Sequence, residues 1–132
     1  MAKRISRKDA PRKLAVEAAR IAHDNNCTDL LVLDLRGISP ITDYFVICTG
    51  TSGRQMHSVA ADVAEYGKSI GQKVWQVAGL ETGQWIVMDF VDVVVHIFSE
   101  THRKYYDLEL IWGEARKVRW QRRAAKRPKQ ER

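Results

Sequence analysis

Gln84-Trp85-Ile86-Val87-Met88-Asp89-Phe90, then Val93-Val94-Val95-His96-Ile97-Phe98, then Arg103-Lys104-Tyr105-Tyr106-Asp107-Leu108-Glu109-Leu110-Ile111-Trp112: the reading of this stretch decides the fold. Two apolar, β-branched runs separated by Val91-Asp92 predict a hairpin, and Tyr105, Leu108, Ile111 and Trp112 recur at helical spacing. Alternation along the first run puts Trp85, Val87 and Asp89 on one face and Ile86, Met88 and Phe90 on the other. A face that carries both an indole and a carboxylate reads as half-exposed. Trp85 is then either an interface anchor, burying a large area while keeping a polar handle, or a core residue. The stretch holds two of the four tryptophans and no recognisable catalytic constellation.

Working outward, Asp9 or Ser6 caps a helix whose first turn accepts Pro11, with Leu14, Ala18, Ile21 and Ala22 on one stripe and Asn25-Asn26 as terminators. Asp29 to Arg36 is apolar nearly throughout, the pattern of a centrally buried strand. After a loop over 37–43, where Pro40 restricts Ser39, Tyr44 to Thr49 is a second strand. Gly50-Thr51-Ser52-Gly53 turns into a helix lined by Met56, Val59, Ala60, Val63, Ala64 and Ile70, with Ser52 and Gln55 in the form of a capping box. The helix ends near Gly71, and Lys73 to Ala78 makes a third strand; this strand, helix, strand succession predicts a right-handed parallel crossover. The class is α/β: a mixed five-stranded sheet flanked by helices. Glu114 to Arg132 has only Val118 and Trp120 as large apolar residues and reads as a frayed basic helix or a disordered tail.

The 132 residues make one domain with extensions: a basic N-terminal extension (1–13), a body (14–112) and a basic C-terminal tail (113–132). The formal charge of +6 is unevenly placed, with +5 in residues 1–13, +7 in 113–132 and −6 in the body. An acidic body with basic ends fits a protein that meets a basic partner and a polyanion together, as on a ribonucleoprotein; the alternative is that charged tails keep a small protein soluble. The apolar runs are strand-sized and the N-terminus lacks a signal-peptide block, so the expected location is cytoplasmic. Cys27 and Cys48 form no CxxC, and a lone disulfide between them stays open.

An enzyme needs groups that act together. His23, His57, His96 and His102 include no pair at metal-binding helical spacing. His96, inside an apolar strand, reads as a hydrogen-bonded core or interface histidine rather than a ligand. Gly50-Thr51-Ser52-Gly53 before a helix has the backbone to hold an anion, yet it is neither a P-loop nor a GxGxxG fingerprint and reads as a structural turn. Such a turn in a mixed sheet is also similar to nucleotidyltransferases, which need carboxylates alternating on one strand face for divalent metal. Asp89 and Asp92 are three apart across a turn, and no predicted strand carries Asp-x-Asp or Asp-x-Glu. The expectation is therefore no catalytic residue, no metal and no cofactor, which leaves binding.

Several blocks together resemble one known family. Asp43 to Ser52 (Asp-Tyr-Phe-Val-Ile-Cys-Thr-Gly-Thr-Ser) followed by Arg54-Gln55, then Trp85 to Asp89, Val93 to Phe98, and Tyr106-Asp107-Leu108-Glu109 ahead of Trp112, resemble the ribosomal silencing factor (Iojap) family over about Leu14 to Trp112. The resemblance implies a nucleotidyltransferase-like α/β fold without catalytic carboxylates. It implies a translational repressor that binds the large ribosomal subunit through its interface protein, large-subunit protein fourteen, and sterically blocks joining of the small subunit. A homodimer off the ribosome is implied as well. The family's binding-face tryptophan corresponds to Trp85; Val87, Asp89 and His96 join it as expected partner-binding residues. The basic ends lie outside the resemblance; their +5 and +7 charge makes Arg116, Lys117, Arg119, Arg122 and Arg123 expected contacts to ribosomal RNA. The alternative function is that of an RNA-binding ribosome-assembly accessory protein. In one departure, the family's hairpin turn commonly contains glycine, and Asp89-Phe90-Val91-Asp92 has none.

Overall fold

The computed structural model describes residues 8–105 and 113–122. Along these residues the order is α1 (Ala10–Asp24), β1 (Thr28–Asp34), β2 (Tyr44–Gly50), α2 (Gly53–Ser69), β3 (Gln76–Ala78), β4 (Trp85–Asp89), β5 (Val93–Ser99), α3 (Glu100–Tyr105) and β6 (Arg116–Lys117). The hairpin forms as its alternation requires: β4 and β5 are antiparallel, with Trp85 opposite Phe98, Val87 opposite His96 and Asp89 opposite Val94. β5 lies parallel to β2 from Val93 opposite Tyr44 to Ser99 opposite Gly50. The sheet runs β3-β4-β5-β2-β1-β6. β3 points the same way as β2, as a crossover through α2 demands, but β4 and β5 lie between them.

α1 and α2 cover one face of the sheet. Leu14, Ala18, Val59 and Val63 pack there against Val46, Ile86, Met88 and Ile97. These residues recur at helical spacing in the helices and at every second position in the strands, so each element buries one side only. Asp9 occupies the start of α1, where its carbonyl accepts the Lys13 N–H at 3.0 Å and its side chain makes no capping bond. The expected box at α2 is half realised. Ser52 Oγ accepts the Gln55 N–H at 3.1 Å. The Gln55 side chain instead accepts from the Thr51 N–H and donates to the Asn25 carbonyl at 2.7 Å, tying the start of α2 to the end of α1. Cys27 and Cys48 are free, buried thiols in this core.

The sheet has six strands where the sequence pattern predicts five, and the sixth comes from the basic tail. Arg116 pairs with Asp34 and Lys117 with Leu33 in antiparallel register. The Val118 N–H donates to the Val32 carbonyl at 2.8 Å, and the Val118 side chain is only 8% exposed. Trp120 packs on the helical core, its carbonyl accepting from Arg20 Nε at 2.7 Å. The expectation of a frayed helix or disorder is corrected over residues 116–120. Without β6, β1 would leave a row of unpaired backbone groups. The Val-x-Trp alternation, hidden among charges, is what a half-buried strand needs.

On the opposite face a smaller cluster forms from Leu33, Leu35, Ile47 and Phe98, with Phe45 and Trp85 partly buried against it. α3 lies at the end of this side, where Arg103 donates to Thr49 Oγ1 at 2.9 Å. The Tyr105 side chain, Leu108, Ile111 and Trp112, expected as packing for the hairpin, lie outside the described residues, as does the alternative cap Ser6. Among the described residues no helix is long and apolar enough to cross a membrane.

Candidate functional site: the Trp85 face of the hairpin

The register of β4 against β5 makes Trp85 and His96 diagonal neighbours on the face that the helices α1 and α2 do not cover. The Trp85 indole N–H donates to His96 Nδ1 at 3.1 Å. The indole also stacks on Phe98, with ring centroids 4.9 Å apart and planes at 25°, while Phe45 meets the His96 ring edge-on at 4.7 Å. Because Nδ1 accepts, the neutral imidazole carries its proton on Nε2, which is buried and hydrogen-bonded to no group among the described residues. Burial pushes the His96 pKa down to about 4.

Val87 sits half-buried opposite His96, so Trp85, Val87 and His96 converge at one place. Asp89 shares their face but stands at the other end of β4, about 13 Å from Trp85 along the strand. There Asp89 Oδ1 accepts the Val91 N–H at 2.7 Å. The turn beyond it closes without glycine: Val91 takes φ +77°, and the Asp92 N–H donates to the Phe90 carbonyl at 3.0 Å, a classic γ-turn. The Trp85–His96 hydrogen bond is absent from the sequence reading; hairpin register was the signal for it.

The expected RNA-contacting residues divide. Arg116, Lys117 and Arg119 are exposed along and just beyond β6. Arg122 is instead held by Asp24, with its two guanidinium nitrogens 3.1 and 2.9 Å from the carboxylate oxygens. Arg123 lies outside the described residues. The glycine-serine turn ahead of α2 lines a crevice of about 290 Å³ with Ser99 and Thr101, and Gln55 already occupies its Thr51 N–H. Among the described residues no three His, Cys, Asp or Glu side chains gather where a metal ion could sit.

Fold and site together define a small α/β protein that presents a half-buried aromatic sheet face. Residues 8–132 match the family model described as "Ribosomal silencing factor during starvation", and the chain belongs to that family. It is 39% identical over 98 residues to the ribosomal silencing factor of Bacillus subtilis, covering 74% of this chain and 83% of that one. A crystal structure of a Chromobacterium violaceum protein superposes with a TM-score of 0.72 at 32% identity, covering 83% of this chain and 88% of that one. A mouse relative named "Mitochondrial assembly of ribosomal large subunit protein 1" is 27% identical over 95 residues, covering 70% of this chain and 42% of that one.

Proposed function

We propose that the chain is a translational repressor that binds the large ribosomal subunit and blocks joining of the small subunit by occupying the surface between them. The observation that carries this reading is the convergence of Trp85, Val87 and His96 on the sheet face opposite α1 and α2, with Asp89 farther along it. Membership in the silencing-factor family supports it. The mechanism is steric and needs affinity alone, with no catalytic step. An aromatic anchor in an apolar surround is the usual seat of binding energy in such a contact. The partner is a basic protein of the subunit interface, large-subunit protein fourteen by family resemblance, which suits the −6 of residues 14–112. Arg116, Lys117 and Arg119 reach neighbouring ribosomal RNA and make binding salt-dependent. Location on cytoplasmic ribosomes and a homodimer off the ribosome belong to the same reading.

Sucrose-gradient sedimentation with separated subunits tests it. Adding the wild-type protein is expected to reduce joined ribosomes, and Trp85→Ala to restore them while the variant still melts cooperatively. An assembly role is the second reading, favoured by the printed name of the mouse relative. Comigration with large subunits without loss of joined ribosomes would select it.

A further inference from the structure

One end of the sheet carries backbone strain beside exposed apolar side chains. Val91 is β-branched, yet it holds a left-handed φ of +77° in the γ-turn between β4 and β5, and its side chain is 55% exposed. Glycine would adopt this conformation without strain and with little packing lost. Strain of this kind persists where the surroundings over-determine it and clusters at functional positions.

Two further segments are tied to that turn, backbone to backbone. The Trp75 N–H donates to the Asp89 carbonyl at 2.7 Å, and the N–H groups of Asp43 and Tyr44 both donate to the Asp92 carbonyl, at 3.0 and 3.1 Å. Each segment leaves a large apolar side chain in water: Trp75 is 69% exposed and Ile41 82% exposed. Four of the five exposed large hydrophobic residues described belong to these three segments, so the exposure is concentrated rather than scattered. Asp43, Asp89 and Asp92 stand among them, and none forms a salt bridge with a described residue.

We propose that this end of the sheet, built by the β4–β5 turn, the β1–β2 loop and the segment entering β3, docks a basic protein segment that carries aliphatic side chains. Three carboxylates that form no salt bridge with a described residue, Asp43 lying within electrostatic reach of Arg36, favour Lys or Arg and repel a phosphate backbone, which selects protein over RNA. Asp89 belongs both to this end and to the Trp85 face, so the occupant is a basic stretch of the same large-subunit protein surface. The choice of partner rests on the large-subunit reading above.

The test is co-sedimentation with purified large subunits, comparing wild type, Trp85→Ala, Val91→Gly, Ile41→Ser and Asp92→Lys, with thermal melting of each. Val91→Gly is expected to melt higher than wild type yet bind about threefold to tenfold more weakly, because it loses the buried valine side chain in the complex. Ile41→Ser and Asp92→Lys are expected to weaken binding to a similar degree. Unchanged affinity in all three, with Trp85→Ala still abolishing binding, overturns this proposal and leaves the large-subunit reading standing. A gain in affinity for Asp92→Lys points to a polyanion and overturns it too, as does a loss of self-association with subunit affinity unchanged. Wild type that fails to comigrate with large subunits overturns the large-subunit reading itself, and this proposal with it.

Discussion

Acidification is expected to destabilise the fold through the buried histidine of the Trp85 face. His96 Nδ1 accepts the indole N–H, so protonating it would set two donors against each other inside an apolar site. The folded protein resists that protonation until pH about 4, whereas an unfolded histidine takes its proton near 6.5. Between those values the unfolded chain binds more protons, so stability is full above pH 6.5 and falls as pH drops toward 4. The whole gap is worth about 3 kcal/mol, of which about 2 kcal/mol is lost between pH 7 and pH 5. For a chain of this length that is a fall of roughly 6–10 °C in Tm. Urea unfolding at pH 7, 6 and 5 would measure it against His96→Gln, which keeps an acceptor for the indole but does not titrate. The variant should start lower at pH 7 by about 1–2 kcal/mol and lose about 2 kcal/mol less than wild type on going to pH 5. The carboxylates titrate in both proteins and cancel. Equal pH slopes for the two proteins would refute the reasoning.

Three further outcomes are expected. Gly79 holds φ +89°, and a Cβ there would collide with the Trp85 carbonyl, so Gly79→Ala should cost about 3 kcal/mol in urea unfolding or prevent folding. Val118→Asp places a carboxylate where β6 closes onto β1; a loss of about 2–4 kcal/mol and faster hydrogen exchange of the residue 118 amide are expected. Cys27 and Cys48 are buried, and the hydrogen bond with the neighbouring Cys27, together with burial, raises the Cys48 thiol well above its usual range. Alkylation followed by mass spectrometry should leave both unmodified in the native protein and label both in denaturant.

Much of the fold was legible where one physical signal was strong and local. The period-2 runs at Trp85–Phe90 and Val93–Phe98 specify a hairpin because a half-buried strand must alternate, and Ser52 marks the start of α2 because its hydroxyl satisfies an otherwise orphaned N–H. The basic tail misled for the opposite reason. Its charges dominate the composition, and the alternating pair Val118 and Trp120 is too short to read as a strand without β1 beside it.

The sequence by itself determined the two faces of the hairpin, the helices that cover one of them, and the split between an acidic body and basic ends. These follow from periodicity and charge, which act over a few residues. Only the tertiary structure decided that Arg122 is held by Asp24, that Trp85 gives its N–H to His96, and that Val91, Trp75 and Ile41 share one end of the sheet. Each of these depends on register or on contacts between residues far apart in the chain. Chain-local patterns carry no record of them, because the energy that fixes them appears only once the strands are side by side.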